Sequence, residues 1–140
     1  MFNRRKGELS PPPVKAGDDG RMPLPGHYAG QTSQDGTISF DVSPRGWHVS
    51  NLMLTVTARR PHGGRAVIDL PVAVDRVIPV GPGGRWRARV FGEGVTVTIE
   101  AFLNGSGIKG DLRVDIDSDG GELSTGSLTW HARQAVLPRY

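Results

Sequence analysis

From Gly26 onward, apolar and polar residues alternate in short runs, and the runs are separated by turn residues. Ile38, Phe40 and Val42 share one side of a run whose other side is Ser39 and Asp41. A period of two is the mark of a strand with one buried face. The same pattern places Trp86, Ala88 and Val90 inward, with Arg85, Arg87 and Arg89 outward. It recurs in Val95, Val97, Ile99 and Ala101, then in Leu112, Val114 and Ile116, and again in Leu128 and Trp130. Residues 47–58 form the longest predicted strand. Its run Leu52–Val56 predicts partial burial on both faces. Ala66–Leu70 predicts another strand, which Pro71 either ends or marks as an edge, because proline has no N–H for the ladder. Val72–Val74 and Val77–Val80 continue it with breaks.

Turn chemistry supports the same reading. Asp35-Gly36 and Asn104-Gly105 are preferred hairpin dipeptides. Ser43–Gly46, Gly81–Gly84, Gly92–Gly94 and Asp119–Gly121 punctuate the rest. No segment has sustained helical spacing, and strands recur every ~8–12 residues, the signature of a sandwich or barrel. The expected fold is all-β: a single antiparallel β-sandwich or barrel-like domain of about eight strands, with an extended N-terminal arm.

That arm, residues 1–25, is written in a different chemistry from the domain at 26–140. It carries Arg4-Arg5-Lys6, then Pro11-Pro12-Pro13, then Gly17-Asp18-Asp19-Gly20, with few apolar residues. The triple proline predicts a short polyproline II rod. Disorder is one reading of such a composition. A strap that docks on a neighbouring subunit is the other.

Composition narrows the function classes. With 20 glycines and 11 prolines in 140 residues, turns and short strands are favoured over helices. No run approaches the ~18 apolar residues of a membrane span. The basic N-terminus is followed by Ser10-Pro11-Pro12-Pro13 rather than an apolar stretch, so no secretory signal is expected. The chain has no cysteine, which excludes disulfides and thiolate metal sites. A net charge of +3 gives weak steering and argues against a nucleic-acid partner.

Two stretches carry a resemblance when taken together. One is Gly26-x-Tyr28-x-Gly30-x-Thr32-Ser33-Gln34 leading to Ile38-Ser39-Phe40-x-Val42. The other is Ser124-Thr125-Gly126 leading to Trp130-x-Ala132-Arg133. With the Val95–Phe102 strand between them, the chain resembles a small β-sandwich domain common in secreted proteins of high-GC Gram-positive bacteria. Members of that group carry a cysteine pair where this chain reads Ala58-Arg59-Arg60 and Leu123-Ser124. The resemblance implies the sandwich fold and no catalytic residues. The missing cysteines and signal imply reuse of the fold inside a particle.

Candidate chemistry is sparse. Asp115-x-Asp117-x-Asp119-Gly120 matches the first half of a calcium loop. The closing Glu falls at Gly126 and is missing, so a polar strand face is favoured. His27, His48, His62 and His131 lie in four separate segments and show no zinc spacing. Ser106 sits in Gly105-Ser106-Gly107, which is not a nucleophile elbow. No catalytic residue, metal ligand set or cofactor is expected. The arginine row Arg85, Arg87, Arg89 reads as a guarded edge or a protein interface.

The expected function is that of a non-enzymatic structural protein of a bacteriophage particle, a capsid decoration or accessory protein. It would be made in the host cytoplasm and held in the virion, with other virion subunits as partners, as a homo-oligomer or bound to a lattice. Arg4, Arg5, Lys6, Pro11, Pro12, Pro13, Arg85, Arg87 and Arg89 are the expected contacts, and exposed strand edges invite β-augmentation. The alternative is a carbohydrate- or cell-surface-binding module, with Trp47, Tyr28 and Tyr140 as its aromatic candidates.

Overall fold

The computed structural model describes residues 22–60, 67–104, 107–118 and 121–135. They form ten strands: β1 Gly26–Thr32, β2 Thr37–Val42, β3 His48–Arg59, β4 Val67–Val74, β5 Ile78–Pro79, β6 Trp86–Gly92, β7 Val95–Asn104, β8 Gly107–Ser118, β9 Gly121–Ser124 and β10 Leu128–Gln134. A single 3₁₀ turn at Pro82–Gly84 precedes β6. The fold is all-β and antiparallel, as the alternation predicts. It has more strands than the eight or so expected: β5 is what remains of the interrupted Val77–Val80 run, and β9 is too short to show a period.

Six strands close into a barrel in the order β1–β2–β3–β9–β8–β10, with β10 returning to β1. The β3–β9 join is one pair, Arg59 with Ser124. The long strand β8 makes closure possible. One of its edges serves β10 over Gly107–Leu112 and then β9 over Asp115–Ser118, while β7 lies along the other. β6 adds to β7, and β4 and β5 add to the second edge of β3.

Two glycines allow the sheet to crease. A Cβ on Gly30 would stand 1.8 Å from the His131 carbonyl oxygen, and one on Gly110 would stand 1.7 Å from that of Glu100. Neighbouring backbones approach there more closely than any side chain permits. The inward residues meet in one core. Phe40 is fully buried. It stacks on Tyr28 at 5.3 Å and takes Trp86 and Trp130 edge-on at 5.2 and 5.8 Å.

The long strand differs from its prediction. Val49 is buried, and so are Leu52, Leu54, Val56 and Ala58, but Met53 is 54% exposed. The parity changes between 49 and 52 because Asn51 adopts φ 54° where the β2–β3 register shifts. This bulge inserts one residue, so both apolar sets face inward and only one side of the strand is buried. β4 runs unbroken through Pro71, so the proline marks an edge rather than an end, and it is tolerated because, among the described residues, β4 pairs only with β3 and its other edge is unpaired.

Candidate functional site

The two ends of the rolled sheet leave an opening. Among the described residues, β4 and β6 each have one unpaired edge, and a groove of about 450 Å³ lies between them. Residues 70–76 form one wall, and Val90–Glu93 with Val95 and Val97 form the other. Inward positions on the central strands are almost fully covered, whereas Leu70, Val72, Ala88, Val90 and Val95 are only partly buried against the core. Their incomplete cover has a simple cause: among the described residues, no strand lies beyond either edge. Phe91, 67% exposed, stands at the lip.

The arginine row stands beside this opening. Trp86 is buried, and Arg85, Arg87 and Arg89 are exposed, as the alternation predicts. Register places Arg87 beside Glu100, Glu100 beside Asp111, and Arg113 beside Thr98. Residues of both signs therefore line the shallow outer depression of β6, β7 and β8. Among the described residues, no carboxylate lies within ion-pair distance of Arg87 or Arg89. The arginines are evident in the sequence, whereas their neighbours follow only from the register.

Arg4, Arg5, Lys6 and Pro11–Pro13 lie outside the described residues, as do His62, Ser106, Asp119 and Tyr140. The root of the arm is described. Pro23 is buried, and its carbonyl and the Met22 side chain press on Gly46, which leaves no room there for a Cβ. Gly46 has φ 75°, a conformation glycine adopts freely. The Tyr28 hydroxyl donates to the Leu24 carbonyl at 2.9 Å, and the Gln134 amide donates to the Pro25 carbonyl. Burial is the main influence on the Tyr28 phenol and raises its pKa. Trp47 follows Gly46, is 52% exposed, and carries the Arg45 guanidinium 5.5 Å from its ring centroid.

Tyr28 was an expected surface aromatic and is instead core, 1% exposed. Its ring fills the space beside Phe40 while only its hydroxyl reaches the arm root. Parity decides the matter, since Tyr28 shares the inward side of β1 with Thr32.

Of the acidic run, Asp115 is engaged within the protein. Both Asp115 oxygens lie 3.0 Å from Arg113 Nε, and the Ser124 hydroxyl donates to Oδ1 at 2.7 Å. Asp117 stands opposite Glu122. Of the histidines, His27 Nδ1 lies 2.7 Å from Asp41 Oδ1, and His48 and His131 stand apart and exposed. Asn51 donates to Asp41 Oδ2 at 2.7 Å. That bond, with His27 second, lowers the Asp41 pKa. Among the described residues, no three His, Asp or Glu side chains converge as a metal site.

The groove is the feature that sequence reasoning missed. Pro71, read as an edge marker, was its one available signal. No protein-family model, curated protein or solved structure matches this chain.

Proposed function

We propose that this protein is a non-enzymatic structural subunit of a virus particle, an accessory protein on a bacteriophage capsid that docks by its N-terminal arm and its β-domain. One observation carries the reading: the arm root is fastened to the barrel. Pro23 is packed against Gly46, and the carbonyls of Leu24 and Pro25 accept side-chain hydrogen bonds from Tyr28 and Gln134. The basic, proline-bearing residues before Met22 therefore leave from a fixed point. Leu24 belongs to this root and Trp47 follows Gly46, and both are exposed. A strap with a fixed root loses less entropy on docking than one swinging from a loose linker.

The resemblance to a small secreted β-sandwich domain, here without its cysteine pair, fits reuse of that fold in a particle. The test is density-gradient sedimentation of particles from cells that make this chain. The account expects the chain to band with particles at a constant ratio to the major shell protein. Recovery only in the soluble fraction would refute it.

The carbohydrate- or cell-surface-binding reading retains one described platform, Trp47, whose exposed ring carries Arg45. Retention of the chain on immobilised glycans, abolished by Trp47→Ala with folding intact, would favour that reading over the particle.

A further inference from the structure

We propose that the groove between β4 and β6 is a β-augmentation site for an extended acidic segment of a partner protein. In that segment, apolar side chains at every second position would cover Leu70, Val72 and Val90, and the carboxylates between them would meet Arg87 and Arg89. The proposal rests on the docking reading above and names what the β-domain recognises.

Three observations fix the chemistry of the guest. First, Leu70, Val72 and Val90 are core residues left partly covered at an opening of about 450 Å³. An added strand presents a side chain to that face at alternate residues. Second, β6 offers a proline-free edge of seven residues, while Pro71 removes a donor from β4. The guest ladder therefore forms on β6. Third, the outward positions of β6 are Arg87, Arg89 and Phe91, and neither arginine has an ion-paired carboxylate among the described residues. Residues directly opposite across a ladder lie ~5 Å apart, and opposite charges there are favourable.

The same charges oppose two other occupants. A second copy adding through its own β6 would set arginine rows side by side. The chain's own basic triplet at Arg4–Lys6 would meet like charge.

The experiment titrates the full chain with capped seven-residue peptides that alternate glutamate with valine, or lysine with valine. Binding is read by calorimetry, and the contact is mapped by amide hydrogen exchange. The glutamate peptide is expected to bind and to slow exchange over residues 86–92 by at least about tenfold. Arg87→Glu with Arg89→Glu is expected to weaken binding at least about tenfold, and the milder Arg87→Gln with Arg89→Gln to weaken it in the same direction should the first pair not fold. Reversal of Arg4, Arg5 and Lys6 is expected to leave it unchanged. Equal binding of the lysine peptide, binding without β6 protection, or binding lost with the arm variant instead would each overturn the proposal. No particle is present in this assay, so its failure leaves the sedimentation result standing, and the reverse.

Discussion

Phe40→Ala should be the most damaging single truncation in the barrel wall. The ring is fully buried and touches three other aromatic rings at centroid distances of 5.2 to 5.8 Å. Phenylalanine to alanine in a core costs about 3–5 kcal/mol, and each aromatic pair adds roughly 0.5–1.5 kcal/mol beyond area. The upper part of that range, about 4–5 kcal/mol, is therefore expected. For the ~115 residues of the domain, the entropy of unfolding is roughly 240 cal/mol/K, so the melting temperature should fall by about 17–21 °C. Thermal and urea melts followed by near-ultraviolet circular dichroism measure both quantities, because the same rings supply the signal. Met53→Ala, on the outer face of the adjoining strand, is the control and should change stability by no more than ~0.5 kcal/mol. A Phe40→Ala loss under about 1.5 kcal/mol, or one matched by Met53→Ala, would refute the placement of the ring cluster at the centre of the core.

Two further outcomes follow from named contacts. The Trp130 indole N–H donates to the Asp111 carbonyl at 3.2 Å, whereas that of Trp86 is buried without a partner among the described residues. Trp130→Phe should therefore cost about 1 kcal/mol more than Trp86→Phe in chemical denaturation, since only the first leaves an acceptor without its bond. The Asp41 carboxyl is held below its ordinary range by Asn51 and then His27. Its contribution is complete above the unfolded value of ~4 and is lost as pH falls through the lower folded value. Stability measured from pH 5 down to 2 should then fall less steeply in Asn51→Ala than in the parent, by a small margin because the carboxylate is partly exposed. An identical slope would show that the Asn51 bond has no such effect.

Much of the fold is legible in the sequence because most strands bury one face. Ile38, Phe40 and Val42, or Leu112, Val114 and Ile116, alternate without error, and all are inward. The period fails where the backbone departs from regularity. On β3 a left-handed Asn51 changes the parity, so Leu52–Val56 looked two-sided when it is not. On β1, an exposed Tyr28 was a reasonable guess from residue type, but its parity with Thr32 settled its side. The groove was illegible for a different reason. Which edges remain unpaired depends on how β8 divides its pairing between β10 and β9, a property of closure rather than of any local run. The arginine row was visible at once, yet its carboxylate neighbours on β7 and β8 emerged only from register.

The claim that the arm carries docking has one direct measurement: particle occupancy, by quantitative mass spectrometry, for the full chain and for the full chain with Arg4→Glu, Arg5→Glu and Lys6→Glu. The account expects occupancy to fall at least about tenfold at equal concentration, with the melting temperature unchanged. Equal occupancy of the two forms would contradict it.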